Sequence, residues 1–321
     1  MTNCNDEIVK ITVPTPFVVG DVHMYIIKGE TISLIDAGVK TNEAWELVKT
    51  QLKNVGLIPG DIEQIILTHH HPDHIGLIDQ FPNAHAVYGH WRNEPWLIKD
   101  ESFFNNYETF FYQLYHACGT PKEYQSFLKT LRAPLRFTGK ATLTDVLADG
   151  HLLPGHSDFK VIETPGHAQS HLAFYREKDG LLIGGDLILL NSSSNPLLEP
   201  PDTTESERPK PLLQYRESLE KCLKYDVNLV LPGHGPNFSI LTEIINKRLL
   251  KQEQRANRAL DILKISSLSP FQLCQHLFPN HVEKQFGLTM SETIGQLDYL
   301  EEKGLVDRNS ENGVQIYTAK N

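Results

Sequence analysis

The chain has 321 residues, of which 40% are hydrophobic and 22% are charged, and this composition is that of an ordinary globular protein. Its formal net charge of -10 argues against a general affinity for nucleic acid or anionic membrane surfaces. No run of residues approaches the roughly 20 apolar positions that a membrane-spanning helix requires. At this length we expect one large domain and a smaller second one.

The N-terminal residues and the cysteines both bear on where the protein works. The first ten residues contain Asp6 and Glu7 and no apolar stretch, so we expect neither a signal peptide nor a membrane anchor. The cysteines are scattered and form no C-x-x-C pair, a pattern typical of reduced thiols in a cytoplasmic protein. They are Cys4, Cys118, Cys222 and Cys274. The expected location is therefore the cytoplasm.

The first part of the chain is predicted to form three strands. Runs rich in β-branched residues at 9–13, 22–28 and 31–35 are separated by turns that contain proline or glycine. Asp36 follows the third run. A helix is predicted at 42–55, because apolar residues recur there at helical spacing.

A cluster of histidines with one aspartate follows the next predicted strand, at 62–67. Its sequence is Thr68-His69-His70-His71-Pro72-Asp73-His74. Side chains two apart in a strand point the same way, so we expect His69 and His71 to face together and His70 to point away.

The second half of this cluster is predicted to begin a helix. Pro72 suits the first turn of a helix, where its missing N–H costs nothing. Asp73 and His74 would then face back toward the two histidines before them. Because imidazole and carboxylate are ordinary zinc ligands, the cluster predicts a metal site.

After a further strand at 81–88, the segment at about 91–140 is crowded with aromatic residues. Their spacing predicts two helices, broken near 118–121. Two interpretations of this insertion stay open. It caps the metal site and shapes an apolar pocket, or its rings only pack it onto the body of the domain.

Later strands end in turns that carry three further candidate ligands. The strands are predicted at 142–147, 159–163, 172–176, 181–184 and 229–231, with a helix at 212–225. His167, Asp186 and His234 each follow a strand within or beside a glycine-containing turn. Ligands from separate strand ends would converge at one edge of the sheets and leave the metals open to substrate.

The segment 191–211 is rich in proline and serine and is predicted to be a long loop. It begins shortly after Asp186, so it is expected beside the site. Its candidates for substrate contact are Ser193, Ser194, Asn195 and Arg208.

From about residue 239 the sequence predicts a second, mostly helical domain. Helices at 241–263, 270–277 and 289–303 are followed by a hairpin at 305–318. This order resembles a winged-helix module. Its third helix is expected to expose Glu292, Asp298, Glu301 and Glu302. Because that charge does not suit a DNA groove, packing or homodimerisation is the favoured role.

The His-x-His-x-Asp-His pattern after a strand resembles the signature of the metallo-β-lactamase (MBL) fold hydrolases. The resemblance implies an α/β fold, an αββα sandwich over residues 1–238 with the helical insertion, followed by the winged-helix-like domain at 239–321. It also implies two zinc ions, with manganese or iron as alternatives. One ion would take His69, His71 and His167, the other would take Asp73, His74 and His234, and Asp186 would bridge them.

The same resemblance suggests roles for other residues. Asp36 would support the metal loop without binding metal. A hydroxide between the ions would act as nucleophile, oriented by Asp73. His171 is the second catalytic candidate, as a hydrogen-bonding partner near the ligands or as proton donor to a leaving group.

The filled bridging position is typical of glyoxalase II, lactonases and related enzymes, so the leading hypothesis is hydrolysis of a small ester, thioester or lactone. The alternatives are an MBL-fold ribonuclease or phosphodiesterase, an iron-dependent sulfur oxygenase with one metal, and a winged-helix nucleic-acid-binding regulator with a vestigial enzyme domain. The expected partners are a small-molecule substrate and a second copy of the chain, with neither membrane nor nucleic acid.

Overall fold

The computed structural model of the protein describes residues 8–202 and 207–320, apart from the side chain of Gln125. Cys4 therefore lies outside the described residues. Cys118, Cys222 and Cys274 are buried free thiols, as predicted. In these two described stretches, no helix combines the length and the apolar character needed to cross a membrane.

The strands of the described residues form three sheets. The first sheet has the order β1-β2-β3-β4-β5-β6, the second β11-β10-β9-β8-β7, and β12 pairs with β13. The bounds are β1 (Ile8–Val13), β2 (Val22–Lys28), β3 (Ile32–Ile35), β4 (Gln64–Ile66), β5 (Ala86–Gly89), β6 (Asp145–Val146), β7 (Leu152–Leu153), β8 (His156–Glu163), β9 (Leu172–Arg176), β10 (Leu181–Gly185), β11 (Leu229–Pro232), β12 (Val306–Glu311) and β13 (Val314–Ala319).

The helices are α1 (Asn42–Asn54), α2 (Glu94–Ile98), α3 (Glu101–Ala117), α4 (Gln125–Leu128), α5 (Pro211–Cys222), α6 (Leu241–Ile265), α7 (Pro270–Leu277) and α8 (Phe286–Glu302). Short 3-10 turns lie at Pro59–Asp61, Ile78–Gln80, Trp91–Asn93, Lys122–Tyr124 and Ala133–Phe137. The predicted helix after the first strands is confirmed: the Thr41 side chain caps α1, and Ala44, Val48 and Leu52 are its buried face.

The two larger sheets pack face to face with helices on both outer sides. The core between the sheets contains Tyr25, Ile35, Phe159 and Phe174. The outer side of the first sheet packs on α1, and that of the second sheet packs on α5 and the first turns of α6. Burial of each such large side chain contributes about 1.5–3 kcal/mol. This is the predicted αββα sandwich.

Parallel pairing brings the ends of several strands to one edge. β3, β4 and β5 are parallel, with Ile35 opposite Ile66, so Asp36 and the histidine cluster leave the first sheet side by side. β10 and β11 are also parallel. A bridge between Val22 and His234 joins the two sheets at this edge.

The helix predicted to begin at Pro72 is wrong, because residues 72–74 form a turn. The His74 amide closes this turn by donating to the His71 carbonyl at 2.9 Å, but the next backbone groups bond across to the loop after β3 and do not continue a helix. The Ala37 amide donates to the His74 carbonyl at 2.6 Å, and the Gly76 amide donates to the Gly38 carbonyl at 2.6 Å. A Cβ on Gly76 would lie 2.2 Å from the Lys40 amide nitrogen, so the close approach requires glycine.

The insertion contains one long helix, α3, and the second predicted helix is broken into α4 and short turns. Lys99 adopts a left-handed φ of 56° and separates α2 from α3. Most of the aromatic rings pack the insertion against other parts of the chain. Phe111 and Tyr115, for example, share a core with Phe271 and Phe286 of the C-terminal region. Of the two interpretations of the insertion, these contacts therefore favour the one in which its rings pack it onto the rest of the chain.

The C-terminal region has the predicted order of three helices and a hairpin, whose turn contains Asn312 and Gly313 with φ of 51° and 82°. α6 contributes Ile245 to the sandwich core and Ala259 to the C-terminal core. The proposed boundary at 238/239 and the winged-helix relationship stay predictions.

The expected exposure of the acidic face of α8 is wrong for two of its residues. Asp298 is 2% exposed, and the Glu292 side chain is 11% exposed, whereas Glu302 reaches solvent at 61%. α8 packs against α5, α6 and α7, so most of its surface is covered. Arginines from neighbouring segments pair with the buried Asp298 and the partly buried Glu292.

Candidate metal centre

Seven side chains from four separate segments converge at one edge of the sandwich. Three groups of them each bring one ligand atom per residue to within 4.8 Å of one another. The groups are His69 with His71 and His167, His69 with His74 and Asp186, and Asp73 with His74 and His234. The structure thus brings together all seven side chains that the sequence predicts as metal ligands.

Two glycines let the strand ends approach this centre closely. Gly185 has a φ of 47°, and a Cβ there would lie 2.9 Å from the Thr68 side chain. A Cβ on Gly233 would lie 2.2 Å from Asp186 Oδ1. The turns that carry Asp186 and His234 therefore need residues without side chains at these points.

Asp36 holds the histidine cluster in place, as predicted. Its carboxylate accepts hydrogen bonds from the Thr68 amide and the Thr68 hydroxyl, each at 2.7 Å, and from His74 Nδ1 at 2.8 Å. Because His74 Nδ1 donates this bond, Nε2 carries the lone pair when the ring is neutral. That lone pair faces Asp186 Oδ1 at 3.5 Å.

His167 and His234 are oriented in the same way by backbone carbonyls. His167 Nδ1 donates to Asn195 O at 3.0 Å, and His234 Nδ1 donates to Asp21 O at 2.7 Å. Their Nε2 atoms lie 3.5 and 3.4 Å from Asp186 Oδ2. Such anchoring of the second ring nitrogen is usual for metal-binding histidines.

The polar atoms that face one another here lack hydrogen-bond partners. Among the described residues, the buried atoms without one include Asp186 Oδ1 and the Nε2 atoms of His74, His167 and His234. Lone pairs of imidazoles and a carboxylate oxygen, all directed at one small space, repel one another unless a cation lies among them. The donor set therefore fits a divalent metal.

The crowding of these side chains shifts the pKa values of His74 and Asp186. Burial by itself lowers the pKa of His74, but the carboxylates of Asp186 and Asp36 outweigh it and hold the pKa well above 6.5. Burial also opposes ionisation of Asp186, yet His234 and His74 hold its pKa well below the usual value. In the protein alone, protons supply the positive charge that a metal ion would otherwise supply.

His69 and His71 meet edge to face on the other side of the centre. The Thr68 hydroxyl donates its proton to Asp36, so it acts as acceptor for the hydrogen bond from His69 Nδ1, at 3.0 Å. The lone pair of His69 therefore lies on Nε2. This Nε2 is 3.0 Å from His71 Nδ1. Burial lowers the pKa of both imidazoles well below 6.5, so both are neutral at pH 7.

His70 belongs to none of the three groups of candidate ligands, although its buried ring lies 5.0 Å from that of His71. Its Nδ1 lies 2.7 Å from Ser170 Oγ, and its ring stacks on Trp96 with centroids 4.3 Å apart. Trp96 thereby connects the insertion to the metal loop. The sequence contained no signal for the Ser170 contact, which joins residues 100 positions apart.

The contacts of His171 match the hydrogen-bonding role considered for it. Its Nε2 accepts the backbone amide of Asp186 at 3.0 Å, and its Nδ1 is 2.7 Å from Thr164 Oγ1. Since Nε2 accepts a hydrogen bond, the neutral ring carries its proton on Nδ1, and both nitrogens are engaged. His171 therefore has no proton directed at a leaving group.

The four loop residues that were candidates for substrate contact differ in exposure and in their partners. Asn195 contributes its carbonyl to His167, and Ser193 is exposed while Ser194 is buried. Arg208 pairs with the buried Asp298 of α8 at 2.6 Å, so its predicted place facing a substrate is wrong. A buried carboxylate attracts the guanidinium more strongly than a solvated opening does.

An α/β sandwich with a histidine- and aspartate-lined centre at one edge defines the class of the protein. Residues 17–234 match the family model of the metallo-beta-lactamase superfamily. The probable metallo-hydrolase YqjP of Bacillus subtilis (strain 168) is 42% identical over 296 residues, which cover 92% of each chain. The chain therefore belongs to the metallo-β-lactamase superfamily, in agreement with the predicted class of metal-dependent hydrolase.

Two solved structures are similar over nearly the whole chain. The metallo-beta-lactamase family protein TTHA1429 from Thermus thermophilus has a TM-score of 0.82 at 26% identity and covers 98% of this chain and 99% of its own. A beta-lactamase domain protein from Burkholderia ambifaria has a TM-score of 0.79 at 20% identity, covering 98% and 92%. The similarity of fold thus includes the C-terminal helices.

Proposed function

We propose that the protein is a hydrolase that holds two zinc ions and cleaves a small ester, thioester or lactone. The observation that carries this proposal is the arrangement around Asp186. Three imidazoles, those of His74, His167 and His234, each have Nδ1 tied to an oxygen and Nε2 aimed at the Asp186 carboxylate. Such an arrangement suits cations on both sides of one carboxylate.

The proposal assigns His69, His71 and His167 to one ion and Asp73, His74 and His234 to the other. Asp186 would bridge them, and its distances support this. Asp186 Oδ2 lies 3.5 Å from His167 Nε2 and 3.4 Å from His234 Nε2, so it neighbours ligands of both groups. The absence of cysteine from the seven side chains argues against a structural zinc site, and their imidazoles and carboxylates suit catalytic zinc, with manganese or iron as substitutes.

Bound divalent ions would supply a water nucleophile of lowered pKa and would stabilise negative charge that develops on the substrate. The residues of the chain supply the geometry. Asp73 Oδ2 lies 3.4 Å from His234 Nε2, and this carboxylate can accept a proton from, and orient, the attacking water. Asp36 fixes the orientation of the His74 ring by accepting a hydrogen bond from it. His171 fixes the position of Asp186 by accepting a hydrogen bond from its backbone amide.

The test combines metal analysis with a substrate panel. Purified protein is expected to contain about two zinc ions per chain and to cleave members of a panel of acyl esters, thioesters and lactones. Asp73→Asn is expected to lower kcat by about 10²–10⁴-fold while the variant stays folded. Asp79→Asn, on the surface beside Lys40, is the matched control. Cleavage confined to phosphodiesters would contradict the acyl assignment, and protein that binds no added metal would contradict the whole proposal.

The proposal includes a cytoplasmic enzyme that works without nucleic acid, as a single chain or a homodimer. Its support is the net charge of -10 and the free thiols among the described residues. Fluorescence anisotropy with labelled RNA and single-stranded DNA is expected to show no binding at about 0.15 M salt. Salt-dependent binding would instead favour the ribonuclease or regulator alternatives.

A further inference from the structure

A short segment of the loop after β10 connects the metal ligand His167 to the C-terminal helix α8. The Asn195 carbonyl accepts His167 Nδ1 at 3.0 Å. Three residues later, the Leu198 amide donates to Ser291 Oγ of α8 at 3.3 Å. The Leu198 side chain is 2% exposed and belongs to a core that includes Met290 of α8. The segment 195–198 is therefore held at both ends.

A second route from α8 reaches the same ligand through α5. Arg208, just before α5, pairs with Asp298 of α8 at 2.6 Å. A Cβ on Gly295 of α8 would lie 2.8 Å from Leu212 Cβ, so the two helices are in close contact.

α5 also touches the turn that presents His167. A Cβ on Gly166 would lie 2.5 Å from Tyr215 Cα, and Ser218 Oγ donates to Pro165 O at 2.8 Å. The Gln169 side chain also donates to that of Gln214 at 2.8 Å. α5 thus lies between the His167 turn and α8.

The other anchored ligands depend on the sandwich itself. His74 is held by Asp36 after β3, and His234 is held by the Asp21 carbonyl before β2. Two routes of contacts therefore connect α8 to His167, and neither of them passes through Asp36 or Asp21.

We propose that α8 is a positioning element for the metal centre and that Ser291 and Asp298 are the positioning residues through which it orients His167. This inference rests on the proposed function, because it concerns the binding of metal. It gives the C-terminal region a role within its own chain. It also predicts that a disturbance of α8 weakens the site formed by His69, His71 and His167 more than the site formed by Asp73, His74 and His234.

The experiment titrates metal-free full-length protein with Co²⁺ and with Zn²⁺ against a chelating competitor, and follows the cobalt absorption bands of the two sites. Ser291→Ala and Asp298→Asn are compared with wild type. Glu302→Gln, on the exposed side of the same helix, is the control. In the two test variants we expect one metal to bind about 10–100-fold more weakly, with altered cobalt bands, while the other binds as in wild type. Circular dichroism confirms folding.

The outcomes separate this inference from the proposed function. If wild-type protein binds no metal, the proposed function fails. If wild type binds two ions and folded Ser291→Ala and Asp298→Asn bind both with unchanged affinity, the role of α8 is overturned. Should Asp298→Asn not fold, Ser291→Ala decides the question together with Leu198→Ala, which removes the packing but keeps the amide. Equal weakening of both sites would also contradict the proposal, because it would indicate a general loosening of the fold.

Discussion

His74 and Asp36 are joined by a hydrogen bond of 2.8 Å between Nδ1 and Oδ2, and the same carboxylate holds both the amide and the hydroxyl of Thr68. Asp36 adopts a φ of 60°, a left-handed conformation that costs about 1–2 kcal/mol for most residues and less for aspartate or asparagine. The hydrogen bonds offset that cost. One residue thus fixes both the path of the metal loop and the ring orientation of a ligand.

Asp36→Asn is expected to keep the backbone conformation but to weaken metal binding. Asparagine tolerates the left-handed region, but its NH2 group replaces one acceptor oxygen. At Oδ1 it would face the Thr68 amide, and at Oδ2 it would face the Thr68 hydroxyl and His74 Nδ1, so at least one of these hydrogen bonds is lost. We expect metal affinity to fall about 10–100-fold and the free energy of unfolding to fall by about 1–3 kcal/mol. Metal titration and urea denaturation measure the two effects. Asp79→Asn is the control, and unchanged metal affinity in Asp36→Asn would contradict the assigned role.

Replacement of His70 and of His71 by phenylalanine is expected to give opposite results for metal content. His70→Phe keeps a ring on Trp96 and loses the hydrogen bond to Ser170, so the protein should become less stable by about 1–3 kcal/mol and retain its metals. His71→Phe should lose one metal. Elemental analysis of the folded variants checks this, and metal loss in His70→Phe would show that the contacts of His70 have been misread.

His23 is expected to make the protein less stable in acid. Its Nε2 lies 2.7 Å from the Gly235 carbonyl, and its Nδ1 lies 3.0 Å from Thr12 Oγ1. Burial, which outweighs the favourable bond to Gly235, lowers the pKa of His23 from 6.5 to about 4. Between these pH values the unfolded chain binds a proton that the folded protein does not. The free energy of unfolding therefore falls as the pH drops from 6.5 toward 4.

The His23→Gln variant isolates this contribution, because other buried histidines titrate in both proteins. The stability advantage of wild type over the variant, measured by urea denaturation of metal-free protein, should shrink by about 2 kcal/mol between about pH 7.5 and pH 4.5. His85→Gln, at an exposed histidine, is the control. A constant difference for His23→Gln would mean that folding leaves the pKa of His23 unchanged, which would contradict the prediction.

Gly76→Ala is expected to disrupt the packing of the metal loop against the backbone of residues 39 and 40. The added methyl group would meet the backbone of Val39 and Lys40 at 2.2–2.5 Å, and backbone cannot move aside as a side-chain end can. We expect a loss of about 1–3 kcal/mol or more in the free energy of unfolding, with weaker metal binding. Gly60→Ala, whose nearest neighbour would be 3.4 Å away, should change stability little. Denaturation curves that match for both variants would rule out the close approach at Gly76.

The sequence was sufficient for the candidate ligands and most of the strands, because both leave local patterns. His69, His71 and Asp186 follow apolar runs at strand ends, and a buried charge at such a place needs a partner. The C-terminal hairpin predicted at 305–318 was equally visible, and the structure has it as β12 and β13. Local patterns failed where a distant segment decides the conformation: the turn after Pro72 depends on the loop after β3, to which its backbone bonds.

The tertiary structure alone decided how the candidate ligands are held and where α8 packs. His167 and His234 are oriented by the carbonyls of Asn195 and Asp21, and every residue has a carbonyl, so no residue type marks these positions in a sequence. The sequence predicts that Asp298 is exposed on its helix, but the fold buries this residue beside Arg208. Composition and periodicity report the neighbours of a residue along the chain, whereas these contacts depend on which distant segments the packing brings together.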